Sequence, residues 1–396
     1  MQRYILIFFI TVLMLPLQAQ EQLSENARIS ILTCSPWAEE IYARFGHTAV
    51  RVKDDSLGIN IVFNYGHFDM SKPNFMLNFT RGHTDYYVGA EFFESFIYRY
   101  ALQGVEVVEQ VLNLTQEETQ NLFNAMYINT LPENREYRYN FFFDNCVTRP
   151  RDLIEKYIQG TIQYPADKKV QTFRDLLHEC TSPYPWFRFG IDLVIGSDAD
   201  KPITLREKMF LPVYFQNALE ETTVTRNGII SPILKETNII LYVENKEDNR
   251  SERSLFSPIV IAFAILFLSI AISLMQRRKA NERLLKIFDT ILFFVAGICG
   301  LIVFFLMFFS VHPATNPNWN IVWINPLMLI FAFLFWVKPL RSIIYCYHFI
   351  NFAVLTLFLL LWWFIPQQLP LATIPFSMCL WLRSGTNFFL RRKQQK

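Results

Sequence analysis

Acidic residues almost disappear after Arg253. Only Glu282 and Asp289 follow it, against twelve Lys and Arg, which argues against an ordinary charge-balanced soluble domain there. Several catalytic signatures are missing as well. There is no GxSxG, no P-loop and no GxGxxG after a strand, which sets aside the serine-hydrolase elbow and the common nucleotide cradles. No CxxC or HExxH pair offers metal-ligand spacing. A metal site would have to gather His47, His67, His83 and Cys146 from distant segments, so neither metal nor cofactor is expected. Repeats and low-complexity segments are absent too. Cysteine is scarce: of six, Cys34, Cys146 and Cys180 precede the apolar block and Cys299, Cys346 and Cys379 lie in it. Three in an oxidising compartment leaves at least one thiol over, and a Cys34–Cys180 pairing would leave Cys146 free.

What is present divides the chain. At 396 residues it exceeds one ordinary domain, and its hydrophobic content of 52% is unevenly spread. Residues 1–19 read as an export signal, with Arg3, an apolar run from Ile5 to Leu15 and Ala19 before the cut. Between 20 and 253 stand 24 basic and 33 acidic residues, a net of −9. Such a domain is a poor partner for nucleic acid, whose binding rests on phosphate neutralisation. A charged linker at 244–253 then leads to apolar segments at 254–276, 290–310, 321–337, 342–365 and 366–390, read as about five membrane spans. With the first domain outside, the loops at 277–286, 338–341 and 391–396 face the cytoplasm and hold five, two and four Lys/Arg, while outer loops 311–320 and 366–370 hold none. That is the positive-inside pattern. It implies a multi-pass inner-membrane protein with a periplasmic N-terminal domain and a cytoplasmic C-terminus. The outer loop from His312 to Asn325, rich in Asn and broken by Pro313 and Pro317, reads either as a polar turn or as a headgroup contact facing the outer domain.

In the 20–243 domain, 48–52, 59–66 and 105–114 read as strands. Thr115 with Glu118 forms a capping box opening a helix at 116–128. "RYNFFFDNCVTRPRDLIEKYIQG" runs extended into a helix ending at Gly160, 171–179 and 204–220 have helical periodicity, and "CTSPYPWFRFG" reads as loop. Cys146 falls in the first turn of the helix capped by Asn145 or Thr148, where the helix terminus and Arg149 and Arg151 favour a thiolate. A buried structural cysteine is the plainer reading. A nucleophilic thiol needs a base, and His47, His67, His83 and His178 are the available imidazoles.

"SPWAEEIYARFGHTAVRV", "FNYGHFD", "NFTRGHTDYYV", "PENREYRYNFFFDNCVTRPRDLIE" and "MFLP", over roughly 28–220, together resemble the DUF4105 domain of the Lnb-type lipoprotein N-acyltransferases of Bacteroidota. His67 stands where that pattern has a small residue or Thr. The arrangement also resembles the permuted papain-like (NlpC/LRAT-like) acyltransferases, in which a strand-borne His precedes an Asn-Cys pair at a helix start. The resemblance implies an α+β periplasmic domain followed by an all-α transmembrane bundle. It pairs His47 as base with Cys146 as nucleophile and makes Asn64, ahead of Asp69, the group that orients the imidazole. Arg51, Arg81, Arg149 and Arg151, with Tyr65, Asp144 and Asn145, are the candidate substrate contacts. The implied reaction moves an acyl chain from a phospholipid, through a Cys thioester, to the α-amine of a diacylated lipoprotein. A membrane-anchored cysteine hydrolase (peptidoglycan amidase, peptidase or phospholipase) and a non-enzymatic membrane scaffold are the alternatives.

Overall fold

Runs of apolar residues that alternate across an extended backbone pair into one antiparallel sheet. Its strands are β1 (Arg28–Cys34), β2 (His47–Asp54), β3 (Ile59–His67), β4 (Asp85–Phe92), β5 (Val107–Leu112), β6 (Glu136–Arg138) and β12 (Leu234–Leu241), in the order β12-β5-β1-β2-β3-β4-β6. Five short strands build two small sheets: β7 (Thr161–Gln163), β8 (Gln171–Thr172), β9 (Pro202–Ile203), β10 (Thr223–Arg226) and β11 (Ile229–Pro232). The computed structural model describes residues 22–244, 256–278 and 281–394. The expected signal at 1–19, the linker beyond 244 and the last two residues of the basic tail lie outside them.

Eight helices surround the sheet: α1 (Phe75–Arg81), α2 (Phe93–Gln103), α3 (Gln116–Thr130), α4 (Thr148–Tyr157), α5 (Phe173–Thr181), α6 (Pro185–Val194), α7 (Leu205–Lys208) and α8 (Pro212–Glu221). Period-two alternation gives the sheet two apolar faces. On one, Val50, Val52 and Phe63 meet Met126 of α3, Ile154 of α4 and Phe215 of α8. On the other, Leu32, Ala49 and Val62 meet Phe96 of α2. The expected capping box is formed: the Thr115 N–H donates to Glu118 at 2.7 Å, and the Glu118 N–H donates to the Thr115 hydroxyl at 3.2 Å. Two local readings change. The segment taken as loop after Cys180 contains α6, which Pro185 starts because a first-turn proline lacks only an unneeded N–H. The single helix expected at 204–220 is split before Pro212.

The membrane region comprises α9 (Pro258–Arg277), α10 (Glu282–Phe309), α11 (Asn320–Trp323), α12 (Leu327–Leu334), α13 (Arg341–Leu360) and α14 (Thr373–Gln394). Among the described residues, three helices are long and apolar enough to cross a bilayer: α9, α10, and α13 with the turn before it. Where one span is expected at 321–337, α11 and α12 meet at a break before Pro326. The last helix begins only at Thr373. Its Arg383 is buried, with Nε and Nη2 donating to Asp289 at 2.6 and 2.9 Å and further bonds to Ser273 and Gln276. Pairing of this kind is what allows a charge inside a bundle.

The two regions are hydrogen-bonded together. Asn320 Nδ2 donates to the Asp192 carbonyl at 2.9 Å, Asn318 Nδ2 to Leu193 at 2.8 Å, and Gln367 Nε2 to Ile195 at 3.0 Å. The Gly196 N–H donates to Ala314 at 2.7 Å. A Cβ at Gly196 would collide with the Pro317 carbonyl, so only glycine permits this approach. Arg174 braces the domain side of the seam, bonding Asp192, Asp200 and the Gly196 carbonyl. Asn318 and Asn320 of the outer loop therefore help hold the N-terminal domain to the bundle.

Candidate active site

The site forms where β2 begins and β3 ends. Antiparallel pairing brings His47 and Asn64 to one face of these neighbouring strands, and His47 Nε2 lies 2.7 Å from Asn64 Oδ1. Asn64 is buried. Its Nδ2 donates to Glu91 on β4 at 3.3 Å, and Arg99 on α2 donates to the same Glu91 oxygen at 2.7 Å. The carboxylate thus fixes which way the amide faces. Oδ1 must accept, so Nε2 carries the imidazole proton and Nδ1 is left as the acceptor.

Cys146 comes from the opposite side of the sheet end. Gly66, at φ 101°, closes β3 beside it, and a Cβ there would stand 3.5 Å from Cys146 Cβ. Asn145 sets the sulfur's position. Its Oδ1 accepts from the N–H groups of Val147 and Thr148 at 2.8 and 2.9 Å, and its Nδ2 donates to the Phe141 and Phe210 carbonyls. Cys146 therefore precedes the helix by two residues, where its first turn is expected.

His47, Asn64 and Cys146 line one cavity of about 480 Å³. The rest of its wall is largely aromatic, with Trp37, Tyr42, Phe68, Tyr86, Tyr100 and Phe141. Burial there pushes the Cys146 thiol up to about 11, although the backbone N–H groups of Thr48 and Cys146 work the other way. Burial likewise pushes the His47 imidazole down to about 4, against the pull of its bond to Asn64. Both shifts disfavour charge, because an apolar wall solvates neither ion. Burial therefore favours the uncharged thiol and imidazole, against the thiolate that a helix terminus favours.

The remaining expected contacts are mostly committed elsewhere. Arg51 is buried, bonded to Glu109 at 3.0 Å and Asn60 at 2.9 Å, over the Phe93 ring. Arg149 and Asp144 neutralise each other through two bonds, and Arg149 also lies over the Tyr137 ring. Arg151 bonds Asp152 and the Arg206 carbonyl. Tyr65 points to the opposite face from Asn64 and accepts from Asn129. None of these five lines the cavity. Arg81 is exposed at the end of α1, outside the lining. Asp69 caps Ser71, His83 meets Arg138, and His178 bonds Asp192. His67 does line the cavity, stacked on Tyr87. The Cys34–Cys180 disulfide is not formed: Cys34 is buried beneath α2 and Cys180 belongs to a separate apolar cluster, both as free thiols. Among the described residues no cluster of His, Cys, Asp or Glu could hold a metal.

Sequence reasoning missed Glu91 and Arg99. In the ladder Asn64 faces Gly89 and Val62 faces Glu91, so only the β3–β4 register puts Glu91 diagonally beside Asn64.

Comparison with protein families matches residues 18–179 to the Lnb N-terminal periplasmic domain and 250–395 to the Lnb transmembrane domain. No curated protein and no solved structure matches the chain.

Proposed function

The chain belongs to the Lnb family, with both its periplasmic and its transmembrane domain, and on that premise we propose that it is a lipoprotein N-acyltransferase working by a Cys146 thioester. The observation that carries the proposal is the common cavity: Cys146, a tautomer-fixed His47 and an aromatic wall, on a domain bonded to a membrane bundle. The order of a strand-borne histidine before a helix-start cysteine adds support, as does a wall suited to an acyl chain.

In the first half-reaction His47 Nδ1 takes the Cys146 proton as sulfur attacks the ester carbonyl of a phospholipid. In this reading the backbone N–H groups of Thr48 and Cys146, which bond to the sulfur at rest, turn to the oxyanion. The ester C–O bond breaks, and the lysophospholipid oxygen leaves with the proton from His47. In the second, the α-amine of a diacylated lipoprotein attacks the thioester, the C–S bond breaks, and the amine's proton returns to sulfur through His47. Amide and free thiol result. This reading places the domain in the periplasm, the bundle in the inner membrane and the C-terminus in the cytoplasm.

Intact-mass analysis of lipoproteins from cells with the protein or its Cys146→Ser variant tests the reading. The variant should fold and insert yet leave lipoproteins one acyl chain lighter. Unchanged lipoprotein mass rejects the proposal. Release of free fatty acid without an amide product would make the protein a phospholipase.

A further inference from the structure

The segment just before the catalytic region's fourth strand carries apolar surface with no protein over it. Met70 is 64% exposed, and on α1 Met76 is 71%, Leu77 51% and Phe79 43% exposed. A helix of seven residues that shows water nearly all its large apolar side chains implies another contact.

Two further observations say what that contact is. The first is location. The Val311 N–H donates to the Arg81 carbonyl at 2.9 Å, and His312 Nε2 donates to the Phe79 carbonyl at 2.6 Å. Gly82 allows the approach, since a Cβ there would stand 3.0 Å from both the His312 nitrogen and a Val311 methyl. Val311 and His312 follow α10 after one residue, the helix ending at Phe309. The exposed face of α1 thus sits level with the end of a membrane span. The second is continuity. Ring centroids step from Phe79 to Phe75 at 6.2 Å, to Phe68 at 5.9 Å, to Tyr86 at 5.2 Å. Phe68 and Tyr86 line the cavity that holds Cys146.

We propose that α1 docks on the lipid surface and, with the Phe79–Phe75–Phe68–Tyr86 row, conducts a phospholipid acyl chain from the outer leaflet to Cys146. The proposal rests on the acyl-transfer reading for its destination but not for its docking face. Met76 and Leu77 enter the acyl region, as an interfacial helix does, and the aromatic row keeps the chain out of water along the route.

The test uses the full-length protein in phosphatidylethanolamine–phosphatidylglycerol vesicles. A photoreactive benzophenone residue replaces Leu77 in one sample and Leu57 in another. Leu57 is also exposed, at 46%, but lies in the β2–β3 turn at the far end of the sheet. Lipid adducts should form at 77 and not at 57. Equal lipid yields, or a protein adduct at 77, would overturn the docking. In parallel, Cys146 acylation is measured with long-chain phosphatidylethanolamine in the vesicle and with water-soluble dihexanoyl phosphatidylcholine. Met76→Glu with Leu77→Glu should lower the vesicle-to-soluble rate ratio by at least about tenfold, since the burial of even one of the two apolar side chains is worth that much, and Leu57→Glu should leave it unchanged. A ratio unmoved by the double variant overturns the conducting role. If the wild type acylates Cys146 from neither donor, the acyl-transfer reading fails, while the cross-link still decides the docking.

Discussion

Asn64 accepts from His47 Nε2 at 2.7 Å, across neighbouring strands. Because the Asn64 amide is turned by Glu91, and Glu91 is held by Arg99, one tautomer of His47 is selected three residues away from the ring.

Asn64→Ala should cut the rate of Cys146 acylation roughly 10- to 100-fold, the usual cost of removing a group that orients a working imidazole, and less than His47→Ala. Glu91→Gln should lower the rate with little change in KM. It should also move the acid limb of the rate profile to lower pH, because Glu91 raises the His47 pKa. Wild-type turnover in both variants would reject the relay.

The pH dependence has a definite sign. In the proposed reaction His47 works as an unprotonated base, and burial holds it down to about 4. Activity should therefore persist through about pH 6.5, where a solvated imidazole protonates, and fall only toward 4. The neutral form is the one the fold favours, so the stability His47 lends is present above its unfolded pKa and is lost as pH falls through that window. Iodoacetamide should label Cys146 increasingly as pH rises toward 11. An acid limb near 6.5 would place His47 in water.

Arg383 and Asp289 make a buried pair in the bundle. Arg383→Met should destabilise the protein by about 3–5 kcal/mol, because it strands a buried carboxylate. Adding Asp289→Leu should recover most of the loss. Thermal unfolding in detergent checks both, and equal melting of single and double variants would contradict the assignment.

Asn320 is fully buried in the seam, donating to Asp192 and Leu193 and accepting from Trp323 Nε1. Asn320→Ala orphans those groups and should cost about 1–3 kcal/mol. Hydrogen exchange should rise at 192–196 and 311–320 while β1–β5 stay protected. Unchanged exchange across the seam would mean that other bonds carry it.

The local signals that the sequence settled by itself were those complete within a few residues. The capping box at Thr115 needs only Glu118, and charge-free runs mark α9 and α10 without reference to anything else. Tertiary structure decided whatever depends on register and on solvent. Arg51 looks like a phosphate ligand in the chain because its partner, Glu109, lies far off in sequence and comes into view only as a contact. Glu91 reaches Asn64 only through the β3–β4 ladder. The Cys146 thiol faces an aromatic cavity gathered from segments as distant as Trp37 and Phe210. A helix terminus acts through nearby sequence, but desolvation is set by everything that surrounds the atom, and here it is the largest influence on the thiol.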